Sequence, residues 1–130
     1  TVHSYNKDIT EAIKQFMTAV RIAKEVNMKT EVVNEYNYAL LMALKKDRLT
    51  YEPILNEAFE YGYSFSDEDL KIINLSFIAS TYLDKTYSLD SSKRDEISKR
   101  MSDLYGEDWQ LSTKELAAKL DAEYSLRNPK

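Results

Sequence analysis

The sequence of 130 residues contains no cysteine, two glycines, two prolines and one histidine. The absence of cysteine excludes disulfides, thiolate nucleophiles and cysteine-based zinc sites, and it is compatible with a reducing compartment. Because glycine and proline supply many tight turns and kinks, their scarcity favours a helical chain with short connections. The one histidine, His3, lies close to the chain terminus. We therefore expect neither histidine acid–base catalysis nor a metal site built from several histidines.

The chain also lacks a long apolar run. Its longest apolar stretch, Tyr38 to Leu44, is far shorter than the roughly 20 residues that cross a bilayer. No N-terminal segment has the charged, apolar and small-residue order of a signal peptide. Hydrophobic residues make up 43% of the chain and charged residues 31%, which is the balance of a folded globular domain. We expect a single all-helical domain over residues 1–130, cytoplasmic and without membrane contact.

Apolar periodicity and capping residues predict six helices. The predicted helices run from Ile9 to Val26 with Asp8 as the cap, from Thr30 to the closing cations Lys45, Lys46 and Arg48, from the cap Thr50 to Gly62, from the cap Ser66 to Tyr82, from Ser92 to Tyr105, and from the cap Ser112 to Tyr124. Gly106 is expected to end the fifth helix. The second helix is apolar on every face, so we place it at the centre together with the fourth. The fifth helix is the most polar and is expected on the outside.

Small residues recur in these helices at intervals of about 40 residues. They are Ala39, Ala79 and Ala118, with Ala19 and Ala58 in the helices between them. A small side chain lets two helices approach closely while a bulky residue fills the next groove. The pattern predicts six helices arranged either as three stacked antiparallel hairpins or as a compact helical bundle.

The segments Glu11–Ala19, Asn37–Met42 and Ile78–Tyr82 resemble degenerate tetratricopeptide repeats, which are stacked helical hairpins. The spacing near 40 exceeds the usual 34 residues and is closer to the lengthened repeats of Gram-positive peptide-sensing regulators, which Ala19–Asn27 also resembles. Such stacks hold another molecule in a groove lined by the first helix of each hairpin. The resemblance therefore implies that four residues on those helices contact a partner: Tyr36, Leu40, Ser76 and Ser80.

The sequence offers few groups for catalysis. Glu31 shares a helix face with Glu35 by spacing, and Glu57 shares one with Glu60. Carboxylate di-metal sites in helical bundles also need a Glu-x-x-His element, which is absent here. Neither a glycine-rich phosphate loop nor a nucleophile elbow occurs. We predict no enzymatic activity, no metal site and no cofactor.

Charge and aromatic content indicate a macromolecular partner. Residues 31–69 hold nine acidic and three basic residues, a net charge of −6, whereas residues 1–30 and 70–101 each carry +2. A negative surface suits a basic or apolar partner. The ten tyrosines combine an apolar ring with a polar hydroxyl, a side chain frequent at protein interfaces. We predict a non-catalytic regulatory or adaptor module that binds a protein or peptide. Self-association into a homo-oligomer is also compatible with the sequence.

A competing hypothesis places the function near the C-terminus. The segment Leu111–Leu120 resembles the first helix of a helix-turn-helix, which would contact DNA through Lys114, Lys119 and Arg127. A recognition helix would then have to follow within Ala122–Lys130. The net charge of −4 weakens the attraction to phosphates that dominates DNA affinity. Nucleic acid is therefore the second hypothesis rather than the first.

Overall fold

The computed structural model describes the backbone of residues 2–86 and 88–127, and the side chains of residues 8–86, 88–111, 114–115 and 117–123. Within these residues the chain forms seven helices and no strand: α1 (Val2–Glu25), α2 (Lys29–Leu44), α3 (Arg48–Tyr63), α4 (Asp67–Ile72), α5 (Ser76–Lys85), α6 (Ser91–Tyr105) and α7 (Trp109–Arg127). The predicted all-α fold is confirmed. Among the described residues, no helix combines the length and the apolar composition needed to span a bilayer.

Two helices form the centre of the fold. Helix α2 packs against α1, α3, α5 and α7, and α5 packs against α2, α3, α6 and α7. Every residue from Tyr36 to Ala43 is buried, as expected of a helix that is apolar on all faces. Ala39 and Ala79 are fully buried in these two helices, where small side chains permit close helix packing. Ala118 is exposed, so the prediction that it occupies an equivalent packing position is wrong.

Three predicted helix starts differ from the structure. Helix α1 begins before Asp8, which lies within the helix. Helix α3 is capped by Asp47, whose carboxylate accepts the N–H of Thr50 at 2.9 Å, so Thr50 is the third helical residue and not the cap. The hydrogen bonds from Thr50 also hold the pKa of Asp47 below its usual value. Helix α7 begins at the buried Trp109, which places Ser112 inside the helix.

The predicted fourth helix is divided into α4 and α5. Ser66 caps α4 as predicted, because its hydroxyl accepts the N–H of Asp69 at 3.2 Å. The helix then stops at Ile73, where the backbone is extended with φ −102° and ψ 112°. Asn74 Oδ1 accepts the N–H of Ser76 at 2.8 Å and so starts α5. The break changes which faces point inward on either side of it, and the predicted count of six helices becomes seven.

Gly62 lies inside α3 rather than after its end. A Cβ atom at this position would be 2.3 Å from Leu75 Cδ1. The glycine therefore serves the close approach of α3 to the residue that precedes α5, and not a turn with positive φ. Positive φ occurs instead at Asn27, which follows α1, and at Gly106, which ends α6 as predicted. Met28 N–H also donates to Ala23 O at 2.9 Å across the end of α1, a bond typical of such helix ends.

Helix α6 is polar but has one apolar stripe that enters the core. Ile97 and Met101 are fully buried, and Leu104 and Tyr105 are partly buried beside them. These are the four residues that the apolar spacing of the helix predicts. The rest of the helix is exposed or partly exposed, as expected for an outer helix.

Side chains next to this stripe bind the backbone of other helix ends. Arg100 donates to the carbonyl oxygens of Tyr63 at 2.7 Å and Phe65 at 2.6 Å, in the turn between α3 and α4. Arg94 donates to the carbonyl oxygen of Leu83 at 2.6 Å, in the last turn of α5. The last carbonyl groups of a helix have no partner within the helix, so these contacts satisfy groups that would otherwise lose hydrogen bonds.

Tyr105 joins the two sides of the break between α4 and α5. Its hydroxyl lies 2.6 Å from Leu70 O and 2.9 Å from Ile73 O, to which it can donate, and it accepts the N–H of Leu75 at 3.1 Å. Burial raises the pKa of Tyr105, which keeps the hydroxyl protonated. One side chain thus satisfies both carbonyl and N–H groups that the break leaves without helical partners.

The substitution Tyr105→Phe is expected to reduce the free energy of unfolding by about 2 kcal/mol, because buried backbone groups lose their partner. Urea unfolding measures this loss. The matched control is Tyr51→Phe, since the Tyr51 hydroxyl has no hydrogen bond to any described residue, and it should change stability by less than about 0.5 kcal/mol. Equal losses in the two variants would contradict the role assigned to the Tyr105 hydroxyl.

Candidate functional site

A polar cleft of about 230 Å³ lies between α2, the break that precedes α5, and α7. All but one of its lining residues carry an amide, a hydroxyl or a charge, and the lining comprises Asn34, Asn37, Tyr38, Asn74, Lys119, Leu120 and Glu123. We refer to it as the asparagine cleft. Three segments far apart in the sequence form its walls, so the cleft exists only in the folded chain.

The cleft keeps its shape because α7 is attached to α2. Tyr38 donates a hydrogen bond to Glu123, and Lys45 pairs with Asp121. Between these polar contacts Leu120 is buried, with 6% of its surface exposed. Helix α7 also packs along α5. Both walls of the cleft are therefore held by apolar burial and by side-chain hydrogen bonds.

Asn37, which lines this cleft, has a buried acceptor without a partner among the described residues. Only 4% of the residue is exposed, and its buried Oδ1 accepts no hydrogen bond from any described residue. Buried polar atoms are nearly always paired, and leaving one unpaired costs about 1–3 kcal/mol. Asn37 is also one of the residues that line the cleft.

The other polar groups of the cleft are of complementary kinds. Asn74 Oδ1 is occupied by the N–H of Ser76 at 2.8 Å, which leaves its amide nitrogen as a donor. Lys119 is exposed and makes no ion pair with a described residue. Glu123 accepts from Tyr38. The cleft thus contains an acceptor that is deeply buried, donors around it, and one charge of each sign.

The four residues predicted to line a groove lie close to the cleft in sequence but are mostly in the core. Tyr36 and Leu40 are completely buried and Ser76 is 1% exposed, whereas Ser80 is half-buried. The expectation that the first three are exposed is wrong, because at these positions α2 and the start of α5 are packed against other helices. Contact of these residues with a partner stays a prediction. The predicted helices do contribute to the cleft, but through Asn37 and not through these side chains.

The hydroxyl of Tyr36 has a structural role. It accepts from Lys24 Nζ at 2.7 Å and donates to Glu57 Oε2 at 2.7 Å, which links α1, α2 and α3. Burial, followed by the hydrogen bond to Glu57, raises the pKa of Tyr36 well above its usual value. Glu57, considered above for a carboxylate pair with Glu60, is engaged in this network. No cluster of three metal-binding side chains occurs among the described residues.

The residues assigned to DNA contact lie on α7. Lys114 and Lys119 are exposed, and Lys119 belongs to the asparagine cleft, while the side chain of Arg127 lies outside the described residues. Helix α7 continues without a turn to Arg127. The turn that a helix-turn-helix requires after the first helix is therefore absent from the described part of the chain, and that structural expectation is wrong. DNA contact by these residues stays a prediction.

A second and larger cavity of about 490 Å³ lies between α3 and α5. It is lined by Arg48, Tyr51, Glu52, Leu55, Asn56, Tyr82, Lys85, Thr86 and Ser88. Arg48 donates to Glu52 at 2.6 Å, and none of the described lining residues has a buried polar atom without a partner. We assign the candidate site to the asparagine cleft, because one of its lining residues, Asn37, has a buried polar atom without a partner among the described residues.

Sequence reasoning missed Asn37, although a signal was present. An amide stands within the run from Tyr36 to Leu44, where every other residue is an aliphatic or aromatic one or methionine. A polar residue in a buried position is more informative than an apolar residue on the surface. Asn34 lies beside Glu35, and Asn74 is exposed although it lies between Ile73 and Leu75, so neither is a polar residue in a buried position.

Comparisons of the chain with protein-family models, curated proteins and solved structures gave no match. The function is therefore inferred from the chemistry and geometry of the cleft.

The substitution Asn37→Leu is expected to raise the free energy of unfolding by about 1 kcal/mol, because it removes a buried acceptor that has no partner. The adjoining cleft has room for the larger side chain. Urea unfolding measures the change, and Asn56→Leu on the exposed side of α3 is the control, expected to lie within about 0.5 kcal/mol of the wild type. A clear loss of stability in Asn37→Leu would show that the amide supports the fold.

Proposed function

We propose that this chain is a non-catalytic regulatory or adaptor module that binds a segment of a protein or peptide in the asparagine cleft. The observation that carries the proposal is the polar lining of the cleft, which includes Asn37, a residue whose buried Oδ1 has no partner among the described residues. A buried group that lowers stability and makes no contact that supports the fold is typical of a functional site.

The size of the cleft supports a segment of a larger partner. Pockets for whole small molecules usually measure about 300–1,000 Å³, and the asparagine cleft has about 230 Å³. Only a short part of a ligand fits inside, and the rest would lie on the surrounding surface. A macromolecule can make both kinds of contact.

Charge supports a neutral or basic partner. The net charge of −6 over residues 31–69 belongs to α2, α3 and the start of α4. This field attracts basic segments during encounter and repels nucleic acid. Three carboxylates of this region form ion pairs, Asp69 with Lys29, Glu52 with Arg48 and Asp67 with Arg100. Glu31, Glu60 and Glu68 are exposed to solvent.

Affinity capture from a lysate of the source organism tests the proposal. The immobilised wild type should recover a protein or peptide that Asn37→Leu fails to recover, while Asn56→Leu recovers it normally. Both variants are first shown to be folded by urea unfolding, so a difference in recovery reports the cleft. A partner retained by Asn37→Leu would place binding elsewhere, and no partner above a bead control would contradict the proposed function.

A DNA duplex offered to the same wild-type protein at low salt tests the alternative through Lys114 and Lys119. Electrostatic binding to phosphates is strongest under that condition. We expect no retention of the duplex. Retention that disappears in a double Lys114→Ala and Lys119→Ala variant would support the nucleic-acid hypothesis instead.

A further inference from the structure

A group of side chains that holds a cation lies where α1, α2 and α3 meet, and it shares no residue with the asparagine cleft. Lys24 of α1 donates from Nζ to the hydroxyl oxygen of Tyr36 in α2 at 2.7 Å. The same nitrogen lies 4.8 Å from the ring centroid of Tyr61 in α3, a distance at which an aromatic ring attracts a cation. One ammonium group is therefore held by a hydroxyl oxygen and a ring that belong to two other helices.

Tyr36 connects this ammonium group to a carboxylate. Its hydroxyl donates to Glu57 Oε2 at 2.7 Å while its oxygen accepts from Lys24. Burial raises the pKa of Tyr36, which keeps the hydroxyl protonated and able to make both contacts. Consecutive hydrogen bonds polarise one another, so the bond to Glu57 makes the Tyr36 oxygen a better acceptor for a cation.

The ammonium group of Lys24 is held differently from those of most other lysines. Six described lysines form an ion pair with a carboxylate, namely Lys14, Lys29, Lys45, Lys85, Lys93 and Lys99. Lys24 is partly buried and forms no ion pair with a described carboxylate. An ammonium group that leaves water needs compensation, and here the Tyr61 ring and the Tyr36 hydroxyl supply it. Aromatic rings serve proteins in the same way when they bind ammonium ligands.

We propose that the Tyr61 ring, the Tyr36 hydroxyl and Glu57 form a binding site for a primary alkylammonium group, which Lys24 fills as an intramolecular ligand. Helices α1 and α3 both pack against α2 and make few contacts with each other, so Lys24 acts as a latch between them. Glu57 is exposed and Tyr61 is partly exposed, so solvent reaches the site from the side of α3. An alkylammonium ion from solution can therefore take the place of a shortened Lys24 side chain.

The probe is n-propylammonium chloride, whose carbon chain and ammonium group match the atoms that Lys24→Ala removes. Titrated into ¹⁵N-labelled Lys24→Ala, it should produce saturable shifts in the NMR signals of residues around the site. The wild type should show none, because Lys24 fills the site. The matched control is Lys14→Ala, at an exposed position of the same helix, and it should behave as the wild type does. Adding Tyr61→Leu to Lys24→Ala should weaken binding roughly ten-fold, which corresponds to about 1.4 kcal/mol.

Absence of saturable shifts in folded Lys24→Ala would overturn this inference, and so would unchanged binding after Tyr61→Leu. Equal binding of n-propanol, which has the same chain without the charge, would also overturn it. If Lys24→Ala does not fold alone, refolding with n-propylammonium but not with n-propanol would support the site, and refolding with neither would overturn it. The site is separate from the asparagine cleft, so neither result changes the proposed function.

Discussion

The fold depends on hydrogen-bond partners for the backbone groups at helix ends. Side chains of α6 supply such partners to three other helices, α3, α4 and α5. Arg100 binds the turn between α3 and α4, Arg94 binds the end of α5, and Tyr105 bridges the break between α4 and α5. Unsatisfied backbone groups would otherwise be buried at these points. The break holds Asn74 beside α2 and α7, so the shape of the asparagine cleft follows from this arrangement.

The sequence predicted what depends on local pattern. The apolar run in α2 indicated a helix covered on every side, and Ser66 and Gly106 marked ends that the structure confirms. The break before α5 was not predictable in this way, because its stabilising partner, Tyr105, lies 30 residues further along the chain from Leu75. The same limit applies to Gly62, whose role follows from its closeness to Leu75 and not from its neighbours in sequence.

The helices that border the asparagine cleft were predictable from the sequence. The residues of those helices that face the cleft were not. The resemblance to helical repeats predicted partner contacts on α2 and on the fourth predicted helix, and both border the cleft. The resemblance placed Tyr36 and Leu40 toward a partner, yet a helix packed against four others has no open face there. Asn37 is the position where the interior of α2 meets a cavity. Its buried oxygen lacks a partner among the described residues, which is unfavourable for the fold, and the proposed function rests on the polar cleft beside it.

Photo-crosslinking from two matched positions tests the central claim most directly. A crosslinking amino acid in place of Asn34 lies at the asparagine cleft, and one in place of Asn56 lies at the cavity between α3 and α5. Both residues are exposed, so neither replacement disturbs the core. A binding segment held in the asparagine cleft should crosslink from position 34 and not from position 56. Crosslinking from position 56 alone, or equally from both, would contradict the account.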